Sequence, residues 1–172
     1  MDHGVSVYEN QIRVPLIIKW PRGVRPPGAD GPASGVDLMP TILDVAGLKP
    51  QSGVSGRSLA QPEATTMSAR FAETKPCKDV YDLHPRFRRD AYALLRGHWK
   101  LIASTNGIME LYDLENDPAE EHNVYTIEAA IATKLTAEYE MWRKYRTGIS
   151  GGSAATLSDE ERERLKSLGY VQ

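Results

Sequence analysis

The sequence predicts an α/β chain: one strand and one helix from a larger mixed sheet, then a small antiparallel sheet packed by a C-terminal helix. Three observations carry this. Val14-Pro-Leu-Ile-Ile-Lys-Trp20 is apolar on consecutive positions, the habit of a strand covered on both faces. Between 68 and 114, short strand patterns alternate with tight turns, the habit of an antiparallel sheet. Between 127 and 146, apolar residues recur at helical spacing.

Pro15 fits only at the beginning of the first strand, and Pro21 to Gly28 closes it with turn residues. Val36 to Gly47 reads as a helix with Asp37 as N-cap and Pro40 in the first turn. Leu38, Ile42, Val45 and Ala46 form one stripe, and Gly47 ends the helix. Residues 48–61 read as a loop, 68–74 as a strand and 75–89 as an irregular basic loop. Asp90 to Ser104 reads as two strands joined at Gly97-His98, and Glu110 to Leu114 as another, followed by the turn Glu115-Asn-Asp-Pro118. In the long helix, Ile127, Ile131, Leu135, Glu138 or Tyr139, Trp142 and Tyr145 mark a stripe that should cover one face of the sheet. After a Gly/Ser linker, Leu157 to Gly169 is a short helix, capped by Ser158 with Glu161 in the capping-box position. A buried strand at 14–20 with no neighbours would leave both edges unpaired, so partner strands are expected upstream of Met1.

The chain has 172 residues and a formal net charge of -2, which argues against a general nucleic-acid or membrane-surface binder. No apolar run approaches a membrane span. The single cysteine, Cys77, excludes an internal disulfide and reads as a loop thiol.

Tyr8-Glu-Asn-Gln-Ile-Arg-Val-Pro-Leu-Ile-Ile18 closely resembles a stretch of the sulfatases, in the alkaline-phosphatase superfamily. Val36 to Leu48 resembles the family's helix, and Gly56-Arg-Ser-Leu59 the loop after it. Trp99-Lys-Leu-Ile102 and Glu110 to Asn123 resemble its C-terminal signature, and Leu157 to Tyr170 the tail of many bacterial members. Five blocks occur in the family's order. The resemblance implies the C-terminal part of a sulfatase. Residues 1–62 would end the catalytic α/β domain, incomplete here, with the last strand and helix of its mixed sheet. Residues 63–147 would form the small sheet-plus-helix subdomain, and residues 148–172 the linker and terminal helix.

The same resemblance implies an activity: hydrolysis of sulfate esters on a sulfated small molecule or glycan. It is compatible with a periplasmic or secreted location, which the sequence leaves open; the charge balance argues against a nucleic-acid partner. The family's nucleophile is a formylglycine made from Cys or Ser in a C/S-x-P-x-R motif, and its cofactor is calcium. The motif does not occur in this chain: Cys77 is followed by Lys78, Asp79 and Val80. Nucleophile and most calcium ligands are therefore expected upstream, and the 172 residues alone are expected to be inactive.

Asp2-His3-Gly4 admits two registers within that resemblance. In one, Asp2 and His3 match a metal-binding Asp-His/Asn-Gly segment. In the other, His3-Gly-Val-Ser-Val-Tyr-Glu9 matches a His-Gly-x-Ser-Leu-Tyr-Glu segment without a gap, and His3 would contact a sulfate oxygen or the leaving group. The second is favoured; a frayed terminus is the plain alternative. His84, Arg86 and Arg88 of the basic loop are candidates for holding an anionic substrate, against the reading of a solvated loop. Glu9 and Arg13 are spaced to pair, and His98 to Lys100 read as a hairpin turn and its flank. Asp113, Asp117, Glu120 and Glu121 lack the spacing and Gly of a calcium loop and read as turn and helix-start acids. The alternatives in function are a phosphodiesterase or phosphonate monoester hydrolase of the same superfamily, and a non-catalytic packing or binding module.

Overall fold

A four-stranded antiparallel meander organises the first of two units in the computed structural model. The structure describes residues 6–23, 25–26, 31–49, 53–62, 69–75, 88–149 and 158–167. The strands are β1 (Arg70–Thr74), β2 (Ala91–Arg96), β3 (Trp99–Ser104) and β4 (Met109–Asp113), each paired with the next in sequence. Gly97, at φ 61°, supplies the left-handed backbone that a two-residue hairpin between β2 and β3 requires. The register pairs Ala93 with Ile102 and Leu95 with Lys100, and Lys100 in turn with Tyr112.

Alternation along these strands divides their side chains between two faces. On one, Ala91, Ala93, Leu95, Ile102 and Tyr112 form a buried cluster with Val7, flanked by Tyr8 and Ile12. On the other, Leu94, Leu101, Ala103 and Leu111 are buried. β3 is thus enclosed along most of its length, as the central position of a covered sheet demands. Asn123 and Val124 tie the chain to β4: Leu111 donates its N–H to Asn123 Oδ1 at 3.0 Å and accepts from Val124 N–H at 2.9 Å.

Two elements precede the sheet. α1 (Glu9–Ile12) is a single turn, where no helix is legible in the sequence. α2 (Leu38–Val45) follows a 3-10 turn at Gly35–Asp37 and carries Pro40, buried, in its first turn as expected. Asp37 Oδ2 accepts the Ser34 N–H at 2.8 Å and Oδ1 the Arg57 N–H at 3.0 Å, so one carboxylate fixes both the helix start and the following loop. The α2 stripe differs from expectation: Leu38, Ile42 and Val45 face outward, and Asp37, Pro40 and Thr41 are buried. Residues 13–20 carry no strand pairing. Apolar content makes an extended segment strand-competent, but a ladder needs a neighbouring backbone, and none lies beside it among the described residues.

α3 (Ala129–Ile149) begins two residues later than the pattern predicts, and Ala132 and Leu135 are buried on its first turns. The predicted Ile127 lies before the helix, exposed. The second unit, residues 137–172, holds the rest of α3 with Tyr139 buried, and α4 (Asp159–Ser167). Ser158 and Glu161 form the expected reciprocal cap: Ser158 N–H donates to Glu161 Oε2 at 2.9 Å, and Glu161 N–H to Ser158 Oγ at 3.3 Å. Gly169 lies outside the described residues, and no described helix is long and apolar enough to cross a membrane.

Candidate functional site

Lys100 lies in the middle of the sheet on the face that α1 covers, and its side chain is 0% exposed. A buried ammonium persists only when paired. Its Nζ lies 2.8 Å from Glu9 Oε1 and 2.7 Å from Glu120 Oε1, the second a charge contact rather than an aligned hydrogen bond. Glu120 Oε2 accepts the backbone N–H of Glu9 at 2.5 Å. Glu120 reaches inward from a left-handed backbone, φ 58°, a conformation uncommon for a side chain of this size. Two carboxylates and one ammonium thus clamp α1 to β3 and to the turn after β4.

A second anchor sits one residue earlier. The Tyr8 hydroxyl donates to Glu110 Oε2 at 2.7 Å and the Tyr112 hydroxyl to the same oxygen at 3.2 Å, with the two rings edge to face at 6.2 Å. Burial first, and then the Glu110 carboxylate, push both phenols above the ordinary tyrosine range. Tyr8 and Glu9, adjacent in sequence, are therefore fixed by different strands.

Sequence reasoning missed this clamp. Lys100 reads as a hairpin flank, Glu120 as a turn acid and Glu9 as a partner for Arg13; the structure pairs Glu9 with Lys100 instead. The available signal was alternation, which puts Lys100 on the same face as Ile102. Among the other acids the turn reading holds for Asp117, whereas Asp113 ends β4 and no helix starts between it and Ala129. Asp117 accepts the N–H groups of His122 at 2.8 Å and Glu121 at 3.1 Å, which hold it below the usual carboxylate range.

Of the predicted site residues, Asp2, His3, His84 and Arg86 lie outside the described residues, as does Cys77. Arg88 is described and exposed, just ahead of β2. Among the described residues, the one group able to offer several cation ligands is His98, Asp113 and Glu115. It does not fit calcium, which takes six to eight oxygens. Asp113 lies 4.0 Å from Nε2 of His98 and Glu115 3.7 Å from Nδ1, so the carboxylates approach opposite ring nitrogens. Asp113 also accepts hydrogen bonds from Glu115 N–H and the Asn116 side chain.

Residues 3–145 match the family model described as N-sulphoglucosamine sulphohydrolase, C-terminal. Arylsulfatase K of Danio rerio is 32% identical over 126 residues, covering 71% of this chain and 24% of the relative. The uncharacterized sulfatase YidJ of Escherichia coli (strain K12) is 30% identical over 125 residues, covering 72% and 24%. The crystal structure of Ps i-CgsB in complex with k-i-k-neocarrahexaose superposes with a TM-score of 0.53 at 22% identity, over 66% of this chain and 25% of that one. The chain spans about a quarter of the length of the curated relatives it matches. Blocks around Glu9, Lys100 and Glu120 that resemble sulfatases in sequence meet in one clamp, and the match extends over most of the polypeptide: the chain belongs to the sulfatase family, as a C-terminal part.

Proposed function

We propose that the chain is the C-terminal portion of a hydrolase that cleaves sulfate esters on a sulfated small molecule or glycan. Its own contribution is to hold the His3 segment in place. The observation that carries this reading is the clamp: Glu9, six positions after His3, is fixed through a fully buried Lys100 to Glu120. A hydrogen-bond donor aimed at a sulfate oxygen is effective only if it is held before the reaction begins. The sheet supplies that hold through Tyr8 and Glu9. On this reading His3 contacts the sulfate or the leaving oxygen, and Arg88 with His84 and Arg86 forms a basic approach for the anion.

Calcium and the formylglycine nucleophile belong to the same proposal. The C/S-x-P-x-R motif is absent from the 172 residues, so the nucleophile comes from another part of the polypeptide; most calcium ligands come with it, Asp2 and His3 contributing only in the less favoured register. The test is a chimera in which residues 3–145 replace the matched region of the E. coli sulfatase YidJ, assayed with an aryl sulfate and calcium. Turnover is expected, with a loss of about 100-fold for His3→Ala, the scale for removing a positioned proton donor. Turnover indifferent to His3→Ala, or faster cleavage of a phosphonate monoester than of the sulfate, would overturn the assignment. The 172-residue chain alone is expected to show no turnover.

A further inference from the structure

The β2–β3 hairpin and the end of β4 bring an imidazole and two carboxylates together at one end of the sheet. One ring nitrogen of His98 and one oxygen each of Asp113 and Glu115 lie within 4.8 Å of one another. The ladder explains the meeting. Trp99 pairs with Asp113, which sets the hairpin turn beside the end of β4, and the Leu114 N–H donates to the His98 carbonyl at 2.8 Å. The His98 ring packs on the Trp99 indole, with centroids 5.0 Å apart and planes at 45°. Asp113 is held from behind: the Asn116 side-chain amide donates to Oδ2 at 2.7 Å, and Oδ1 is the oxygen that faces His98 Nε2. Backbone and side-chain contacts thus position two of the three donors, and Glu115, 71% exposed, is the one left to swing.

The charge at this place is unbalanced. Among the described residues no Lys or Arg pairs with Asp113 or Glu115, in contrast to the ammonium that joins the two carboxylates of the clamp. With a neutral imidazole the set carries two negative charges, which one divalent cation cancels. The donors also select the ion. Calcium and magnesium take oxygen ligands in larger number, whereas one imidazole nitrogen with two carboxylate oxygens suits a borderline transition ion such as Zn²⁺, with water as the fourth ligand. Ligands at zinc distances stand about 3.5 Å apart in a tetrahedron. The His98–carboxylate separations are 4.0 and 3.7 Å, on opposite ring nitrogens. Closure therefore needs the exposed Glu115 side chain to rotate toward the nitrogen that Asp113 already faces, with no movement of the ladder.

We infer that His98, Asp113 and Glu115 form a binding site for a borderline divalent cation of the Zn²⁺ type, separate from the calcium and the sulfate chemistry of the proposed function. The ion ties the β2–β3 turn to the turn after β4. That second turn runs on to Glu120, so an occupied site also steadies the segment from which the clamp carboxylate reaches inward.

The test titrates Zn²⁺ into the whole 172-residue chain after treatment with EDTA. The His98 ring resonances are followed by NMR, and amide exchange at 97–99 and 113–116 by mass spectrometry. Zn²⁺ is expected to shift the His98 resonances saturably and to slow exchange of those amides at least about tenfold. Ca²⁺ and Mg²⁺ at the same concentration are expected to leave both unchanged. Glu115→Gln and Asn116→Ala alter turn side chains, and an unchanged urea midpoint in EDTA shows that each variant is folded. Asn116→Ala, which removes only the support of Asp113, is expected to weaken Zn²⁺ binding by about 10–100-fold, and Glu115→Gln by at least as much. Zn²⁺ that leaves the His98 resonances and the 97–99 amides unchanged would overturn the site. Binding that neither substitution weakens would overturn it too, because the ion would then be held by other groups. An equal response to Ca²⁺ would overturn the class of ion.

Discussion

Replacing Lys100 by Met removes the one positive charge from a site holding two carboxylates. Glu120 is 3% exposed and Glu9 16%, so neither can turn to water without moving α1 or the turn after β4. Breaking a buried pair by removing one partner costs about 3–5 kcal/mol, because the remaining charge is left uncompensated. That is a large share of a domain's usual stability of about 5–15 kcal/mol. For a chain of this size it lowers Tm by roughly 6–20 °C. The assay is urea unfolding followed by tryptophan fluorescence, Trp99 lying next to the substituted position. Replacing all three charges together, as Glu9→Gln, Lys100→Met and Glu120→Gln, should recover at least half of the loss. The amide oxygen introduced at position 120 can still accept the backbone N–H of residue 9, and no bare charge stays buried. A Lys100→Met loss below about 1 kcal/mol, the range of surface pairs, would refute the clamp argument. So would a triple variant no better than the single one.

Gly56 and Gly107 both adopt positive φ, 88° and 84°, but differ in surroundings. A Cβ at Gly56 would sit 2.3 Å from the Val36 carbonyl oxygen, whereas at Gly107 it meets open space. Gly56→Ala should therefore destabilise by several times the ~1 kcal/mol of backbone strain expected for Gly107→Ala, and detach the 56–59 loop from α2, as read by thermal melts and amide exchange. The Tyr8–Tyr112 pair predicts alkaline sensitivity. Both folded-state values lie above the unfolded value near 10, so the neutral phenols contribute stability in full below about pH 10, and this is lost as pH rises through the raised values. Absorbance at the phenolate band should show two tyrosines ionising only together with unfolding, and Glu110→Gln should shift that transition.

The meander was legible in the sequence because its signals are local. The Gly97-His98 turn, the alternation in β2 and β3, and the Asp113 to Pro118 turn each depend on residues a few positions apart. The same holds for Ser158 and Glu161 at α4. The clamp was not legible, because its members are 91 and 111 positions apart and each has an ordinary local reading. The strand at 14–20 is a different case: its composition is a strand's, but pairing is a property of two segments, and the sequence displays one. His3, which the resemblance brought forward, and His84 and Arg86 of the basic loop lie outside the described residues, so the structure speaks to their neighbours Tyr8, Glu9 and Arg88 instead.

The long reach of the clamp also has a consequence for biosynthesis. Glu9 leaves the ribosome 111 residues ahead of the carboxylate that grips its amide. At about 5–20 residues per second, this interval is on the order of ten seconds. For most of it, Val7, Tyr8 and Ile12 lack the meander they pack on, since β2 through β4 are still being made. The meander can close quickly once its turns emerge, because its pairings are short in sequence separation. Capture of residues 7–12 must come afterwards, as a late, entropically costly step. During synthesis residues 7–12 are thus exposed to proteases and to chaperone retention, and they gain resistance only as translation passes Glu120.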